Sequence, residues 1–190
     1  ALLRFYRLGA QSLWVDELLT VKAANLGGSL SGPSLFKNIQ GPLHAAVVHA
    51  VAVLSTSEIA LRSASALAGA AQIPVVFILG RELAGRRVGV VAALLTTLSP
   101  FAVWYSQELR NYSMLILFSG LSTLLAWRLV SEKGRSWAGY GLVTLCALLS
   151  NFAAAFLLAA HNLAAAPRIF RDGQFARRWI ATQIVVLLLF

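Results

Sequence analysis

Long apolar runs separated by short polar connections dominate this chain of 190 residues. A transmembrane helix needs about 20 mostly apolar residues, and four nearly uncharged runs approach or exceed that length. They are Ser63–Gly80, Val88–Ser106, Tyr112–Val130 and Trp137–Pro167. The last run has room for two short passes, so we expect it to cross twice and to turn near Ser150–Asn151. Pro100 predicts a kink within the second run. The pattern as a whole predicts an all-α fold, a polytopic bundle of transmembrane helices.

The N-terminal part of the chain is more interrupted. Ala1–Leu13 is typical of the outer end of a first span, and the polar, turn-rich stretch Trp14–Gln40 follows it. Within that stretch we predict a short juxtamembrane helix over Asp16–Leu26. Gly41–Leu54 is apolar but too short to cross a bilayer, so we expect it to lie at the interface. We treat residues 1–190 as one transmembrane domain and expect it to be the N-terminal part of a longer protein, with its first and last spans truncated.

Composition supports insertion in a membrane. Hydrophobic residues make up 58% of the chain and charged residues only 12%, which is too few charges to cover a water-facing surface. The formal net charge of +9 does not indicate nucleic-acid binding, because the basic residues sit in short clusters between apolar runs. Such clusters are typical of cytoplasmic loops held against the lipid surface. The clusters comprise Arg81, Arg86 and Arg87; Arg128, Lys133 and Arg135; and Arg168, Arg171, Arg177 and Arg178.

The basic clusters also predict the orientation. When all three are placed inside, as the positive-inside rule favours, a second set of polar residues falls on the outer side. That set is Asp16, Glu17, Lys37, His44, His49, Glu58, Arg62, Gln107, Glu108 and Arg110. We therefore expect a multi-pass protein of the inner or plasma membrane with its functional site facing the periplasm or exterior.

Asp16 and Glu17 form a carboxylate pair at the point where the first span should end. One of them could act as a general base or as a metal ligand, and a base that accepts a hydroxyl proton is what sugar transfer requires. The structural alternative is that Asp16 caps a helix and Glu17 lies in its first turn. Spacing alone leaves both interpretations open.

Three further positions are candidates for chemistry. Glu108 and Arg110 lie in a polar segment between two spans; they are two residues apart, so each needs another partner, unless the segment is an ordinary hydrated turn. Arg62 could hold a phosphate through its bidentate fork, or it could snorkel to the membrane surface. His44 and His49 are five residues apart, which is a weak pattern for a metal site.

Four segments together resemble the membrane glycosyltransferases with the GT-C fold, in particular protein O-mannosyltransferases and lipid A aminoarabinose transferases. They are Leu13–Glu17 (LWVDE), Gly41–His44 (GPLH), Glu58–Gly69 and Trp104–Tyr112 (WYSQELRNY). They follow one another in the expected order and fall on the same predicted membrane face. The second segment departs from the family's usual Pro-Pro-Leu-Tyr.

The resemblance implies a sugar donor carried on a polyprenyl phosphate and presented from the bilayer. Asp16 would be the catalytic base, with Glu17 in support. In the family this acidic residue often lies near a divalent metal, which here could be Mg, Mn or Zn. The resemblance places Arg62 close to the lipid phosphate. The remaining substrate-binding candidates are Glu108, Arg110, Tyr112 and His44.

Two other functions are compatible with the same sequence. In a transporter or flippase, intramembrane charges and proline kinks mark a substrate path, although here the acidic residues cluster near loops and no internal repeat is evident. In a non-enzymatic assembly subunit, Asp16, Glu17 and Glu108 would be only caps and turns. Sugar transfer to an acceptor hydroxyl on the non-cytoplasmic face is the favoured function.

Overall fold

The computed structural model describes residues 2–24 and 41–190, and helices are the only regular elements in these ranges. The α-helices are α1 (Leu2–Phe5), α2 (Val15–Ala23), α3 (Pro42–Leu54), α4 (Glu58–Ala84), α5 (Arg86–Leu98), α6 (Pro100–Gln107), α7 (Tyr112–Val130), α8 (Trp137–Ser150), α9 (Ala155–Ile169) and α10 (Gly173–Leu189). A short 3-10 helix, Phe152–Ala154, leads into α9. The predicted all-α, polytopic fold is confirmed.

Three segments in the described ranges are long and apolar enough to cross a membrane. They are Glu58–Ala84, Tyr112–Val130 and Phe152–Ile169, and the pair α5–α6 becomes a fourth if the two helices count as one span. The short apolar helices α3 and α8 fall below that length. For α3 this agrees with the predicted non-spanning segment. Lys37 and the C-terminal part of the predicted helix Asp16–Leu26 lie outside the described residues.

The run Val88–Ser106, expected as one kinked span, is divided into two helices. The chain bends by 55° between α5 and α6 because Pro100, at the first position of α6, has no N–H to continue the ladder from α5. Ser99 stabilises the new start, since its hydroxyl accepts a hydrogen bond from the Ala102 N–H at 3.2 Å. The bend carries α6 to the functional site described below.

The run Trp137–Pro167 turns at Asn151, as predicted. Helix α8 ends at Ser150, and Asn151 adopts an extended conformation while its side chain accepts a hydrogen bond from the Ala153 N–H at 2.9 Å. Gly41 packs directly onto this turn: its φ is +103°, and a Cβ there would lie 1.9 Å from the Ser150 carbonyl oxygen. Only glycine accommodates that approach and that backbone angle, so α3 is anchored against the end of α8.

The bundle has two chemically distinct ends. At one end the basic connections meet, because Arg128 binds Glu82 through Nε at 2.9 Å and Arg168 donates to the carbonyl oxygens of Leu129 and Val130. At the other end the α6–α7 turn meets the α8–α9 turn, since Asn111 Nδ2 donates to the Ser150 carbonyl at 2.8 Å. The candidate residues of the functional site are at this second end.

Candidate functional site

A cavity of about 710 Å³ lies between the N-terminal segment, α2, the outer end of α4 and the α6–α7 turn. Six of the seven predicted site residues line it: Asp16, Glu17, Arg62, Glu108, Arg110 and Tyr112. Three separate parts of the sequence therefore converge on one space. The other lining residues are Tyr6, Arg7, Leu8, Ala10, Gln11, Ser12, Trp14, Trp104, Tyr105 and Gln107.

Gln107 attaches the N-terminal segment to the α6–α7 turn. Its side-chain amide donates to the carbonyl oxygens of Leu3 at 3.0 Å and Tyr6 at 2.9 Å. These carbonyls lie at the C-terminal end of the short helix α1, where backbone oxygens have no partner within the helix. The 55° bend at Pro100 aims α6 so that Gln107 reaches them, and this closes one wall of the cavity.

A buried ion pair between Glu17 and Arg62 underlies the cavity. Arg62 Nε donates to Glu17 Oε1 at 2.9 Å and Nη2 donates to Oε2 at 2.6 Å, which is a bidentate arrangement. The Leu109 N–H also donates to Oε1 at 2.7 Å and the Trp14 N–H to Oε2 at 3.3 Å. The carboxylate of Glu17 therefore joins α2, α4 and the α6–α7 turn through four hydrogen bonds.

Every N–H of the Arg62 guanidinium is directed at the protein. Besides its bonds to Glu17, it donates through Nη1 to the carbonyl oxygens of Leu8 at 2.9 Å and Gln11 at 2.7 Å, and through Nη2 to that of Ser12 at 3.4 Å. The side chain is buried, so the snorkelling alternative is wrong. Contact between Arg62 and a lipid phosphate stays a prediction. It requires an N–H group of Arg62, and these groups are already bonded to protein oxygens.

The environment of Glu17 keeps it ionised. Burial acts to raise the pKa of this carboxyl, but the hydrogen bonds from Arg62 and the Leu109 N–H, together with the charge of Arg62, outweigh burial and lower the pKa below its ordinary value. A carboxylate with four donors and a depressed pKa is a poor proton acceptor. Glu17 is therefore suited to positioning other groups.

Asp16 occupies a different environment from its neighbour. Trp14 takes the N-cap position of α2, so the alternative in which Asp16 caps the helix is wrong, and Asp16 lies in the first turn. Its carboxylate is 42% exposed, and Oδ2 is 3.9 Å from Arg110 Nη2. Arg110 also donates to the Asp16 carbonyl oxygen at 3.3 Å and lies over the Tyr112 ring at 5.5 Å. Asp16 thus presents an accessible carboxylate to the cavity next to a positive charge.

Glu108 is the third carboxylate on the cavity wall. Its Oε1 accepts a hydrogen bond from Nε1 of Trp104 at 2.5 Å. Trp104 lies in α6, one helical turn before Glu108. Burial raises the pKa of Glu108 above its ordinary value; the Trp104 hydrogen bond opposes that rise and the charge of Glu17 adds to it. This segment is a partly buried, hydrogen-bonded element of the cavity, so the alternative of an ordinary hydrated turn is wrong.

Comparison with known proteins identifies the family. Residues 40–190 match the sequence pattern of the family described as dolichyl-phosphate-mannose-protein mannosyltransferase. The chain belongs to this family. Comparison with curated proteins gave no match, and comparison with solved structures gave none either. The molecule is therefore a multi-pass membrane glycosyltransferase of the mannosyltransferase-like kind.

The region matched to the mannosyltransferase family covers only part of the cavity. It contains Arg62, Glu108, Arg110 and Tyr112 but begins after Asp16 and Glu17. The two acidic residues are tied to the matched region by geometry instead, through the Glu17–Arg62 ion pair and the contacts of Asp16 with Arg110. Asp16 and Glu17 thus line the same cavity as the four candidates of the matched region.

His44 lies in the mannosyltransferase region but is not among the cavity-lining residues. It is 2% exposed on α3, where burial, followed by the charge of Arg110, lowers its pKa to about 4, so the ring is neutral at pH 7. Its predicted role in substrate binding stays a prediction. His49 has its Nδ1 2.8 Å from the Ala24 carbonyl oxygen and so packs α3 against α2. In the described ranges no three His, Cys, Asp or Glu side chains come together as metal ligands.

Several residues that line the cavity had no role predicted from the sequence. Tyr6, Arg7, Trp14, Trp104 and Tyr105 all line it. A signal was present, because aromatic residues next to charged ones at the end of an apolar run mark the membrane interface. That signal cannot distinguish a side chain facing a cavity from one facing lipid.

Proposed function

We propose that this protein transfers a sugar from a polyprenyl-phosphate-linked donor to an acceptor hydroxyl on the non-cytoplasmic side of the membrane, with Asp16 as the catalytic base. The family description names dolichyl-phosphate mannose and protein. That description favours mannose as the sugar and a protein hydroxyl as the acceptor. A GT-C-type enzyme of the inner or plasma membrane, with its cavity facing the periplasm or exterior, fits this assignment.

The observation that carries the assignment is the contrast between the two adjacent acids. Glu17 is buried and accepts four hydrogen bonds, whereas Asp16 keeps an accessible carboxylate in the same cavity. A general base must reach the proton that it removes, and Asp16 has that access. Arg110 Nη2 lies 3.9 Å from Asp16 Oδ2, so a positive charge stands beside the accessible carboxylate.

The chemical step follows from these positions. The acceptor oxygen attacks the anomeric carbon of the donor and forms the new glycosidic bond, while its proton passes to a carboxylate oxygen of Asp16. The bond between the anomeric carbon and the phosphate oxygen breaks, and its electron pair leaves with the polyprenyl phosphate. One displacement of this kind inverts the anomeric configuration.

A divalent metal would depend mainly on groups outside the protein. Asp16 is the ligand that the resemblance indicates, and the described residues supply no cluster of three ligands around it. Magnesium can bind through one or two carboxylates together with water and substrate phosphates, and there it would supply positive charge opposite the phosphate.

The test compares Asp16→Asn with the wild type in the full-length protein, using a polyprenyl-phosphate sugar as donor. Asparagine keeps the shape of the side chain but cannot accept the proton, so the rate should fall by about 10²–10⁴-fold with donor binding unchanged. Glu58→Gln is the matched control, because Glu58 lies at the same end of the bundle but outside the cavity lining, with its carboxylate 3.9 Å from Arg62. Full activity of Asp16→Asn would overturn its assignment as the base; solute transport without sugar transfer by the wild type would favour the transporter alternative.

A further inference from the structure

We infer that Arg7 is the residue that binds the phosphate of the lipid-linked donor and stabilises it as the leaving group. This inference rests on the proposed function, because it concerns the same cavity and the same reaction. It assigns a role to a position outside the four segments that carry the family resemblance and before the start of the matched region at residue 40.

The other arginines that line the cavity, Arg62 and Arg110, are engaged with the protein. Arg62 directs all five N–H groups at protein oxygens, and moving it to a ligand would leave the buried Glu17 carboxylate without its counter-ion. Losing one partner of a buried ion pair is strongly unfavourable. Arg110 is held beside Asp16 and over the ring of Tyr112. Both cations therefore have structural commitments.

Arg7 differs from them in its contacts. It lines the cavity and is exposed. Within residues 2–24 and 41–190 its side chain makes no hydrogen bond, ion pair or ring contact. A guanidinium with its donors available at the wall of a cavity can bind a phosphate in a bidentate manner.

The backbone at Arg7 supports a role for this side chain. Its φ is +54°, one of two positive values among the described non-glycine residues. The turn after α1 requires this angle, and the Ala10 N–H closes the turn on the Arg7 carbonyl oxygen at 2.9 Å. Glycine would adopt the angle without the cost of about 1 kcal/mol that an L-residue incurs. A strained, exposed arginine at a cavity wall points to a function for its side chain.

The reaction provides a reason for a cation at this position. In the donor the phosphate is a diester with one negative charge, and cleavage of its bond to the anomeric carbon adds the bonding electron pair to the departing oxygen. Charge thus grows on the phosphate in the transition state, and a cation beside the phosphate stabilises that charge. Arg7 should accordingly affect both donor binding and the rate of the chemical step.

The experiment uses the full-length protein and farnesyl phosphate as a short-chain probe, with farnesol and inorganic phosphate as separate probes for the tail and the headgroup. Arg7→Gly keeps the backbone conformation and removes the cation, whereas Arg7→Lys keeps the charge. Arg87→Gln is the control, because it removes an exposed arginine at the opposite end of the bundle. Binding of each probe is measured together with KM and kcat for transfer from the full donor.

Arg7→Gly should weaken farnesyl phosphate binding by about 10–100-fold, as expected for loss of a charge-assisted hydrogen bond, with farnesol binding unchanged. KM for the donor should rise and kcat should fall, and Arg7→Lys should restore part of both. Wild-type-like binding and kinetics in Arg7→Gly would overturn the inference, as would equal losses in Arg7→Gly and Arg87→Gln. Failure of the proposed function has a different signature: the wild type would bind farnesyl phosphate, lose that binding in Arg7→Gly, and still transfer no sugar.

Discussion

At the scale of single residues, the cavity shows how adjacent acids with the same chemistry are given different tasks. Glu17 points into the protein and meets Arg62 and the Leu109 N–H, while Asp16 remains partly exposed beside Arg110. Consecutive side chains on a helix point about 100° apart, so one can face the core while the next faces a cavity. The Glu17–Arg62 pair thus holds the framework in which Asp16 is presented.

Replacing Glu17 tests this framework. Glu17→Gln leaves the buried Arg62 without its counter-ion, and at neutral pH we expect a loss of about 3–5 kcal/mol in unfolding free energy, seen as a lower thermal midpoint in detergent. Glu132→Gln is the control, because Glu132 is 77% exposed and binds Arg168 at 3.1 Å; such a surface pair contributes less than about 1 kcal/mol. Equal midpoints for Glu17→Gln and the wild type would show that the pair does not stabilise the fold.

The Glu17 effect should also depend on pH, with a defined sign. The pKa of this carboxyl is lowered in the folded state, so its contribution to stability is full above the ordinary pKa of about 4.3 and is lost as the pH falls through the folded-state value. The difference in thermal midpoint between wild type and Glu17→Gln should therefore be constant from pH 6 to 8 and shrink below about pH 4. A difference that grew on acidification would contradict the assigned direction of the shift.

At the scale of helices, close backbone contact sets how α4 and α5 pack. Gly80 and Gly89 face one another, and a Cβ on Gly89 would lie 2.6 Å from the Phe77 carbonyl oxygen and 2.9 Å from the Arg81 backbone nitrogen. Small residues allow such approaches between membrane helices. Because α4 carries Arg62 and α5 leads into α6, this contact fixes the relation between two walls of the cavity.

Gly89→Ala should therefore be destabilising although alanine is the better helix former. The new methyl group meets backbone atoms that cannot move aside, so the two helices must separate, at a cost of about 1–3 kcal/mol. Gly173→Ala is the matched control, because a Cβ there has no neighbour within 4 Å. Thermal unfolding in detergent should show a lower midpoint for Gly89→Ala alone; the same small change in both variants would mean that the α4–α5 contact can relax.

At the scale of the whole molecule, polarity differs between the two ends of the bundle. Ten of the 16 Lys and Arg residues lie in the three basic clusters at the end where Arg128 binds Glu82, and the cavity lies at the opposite end. Basic loops stay preferentially on the cytoplasmic side during insertion. The charge distribution therefore favours a cavity that faces away from the cytoplasm.

Cysteine labelling tests this orientation. In a Cys146→Ala background, Thr56→Cys at the cavity end should react with a membrane-impermeant maleimide in intact cells. Arg87→Cys, at the basic end, should react only after the membrane is permeabilised. Both positions are exposed, so access to the reagent decides the outcome. The reverse pattern would place the cavity on the cytoplasmic side and remove the basis for the proposed topology.

The sequence alone determined the helical membrane fold, the breaks between helices at Pro100 and Asn151, and the segments that form the site. These depend on local properties: the length of apolar runs, the position of Pro100 and Asn151, and the distribution of charge along the chain. The positions of the basic clusters between the apolar runs also predicted that Asp16 and Glu108 lie at the same end of the bundle. Two of the structural alternatives were wrong. The N-cap is Trp14 and not Asp16, and Arg62 binds Glu17, 45 residues away, instead of snorkelling to the membrane surface.

The tertiary structure decided which partner each charged group takes. Glu17 and Arg62 are 45 residues apart, and Glu17 and Leu109 are 92 apart, so no local pattern specifies their contacts. Local patterns likewise do not predict the burial of His44. Nor do they predict that the Arg7 side chain has no protein partner among the described residues. In a low-dielectric interior a charge must find a counter-ion or stay accessible to water or ligand. Only packing determines which of these occurs, and packing thereby separates structural charges from those available for chemistry.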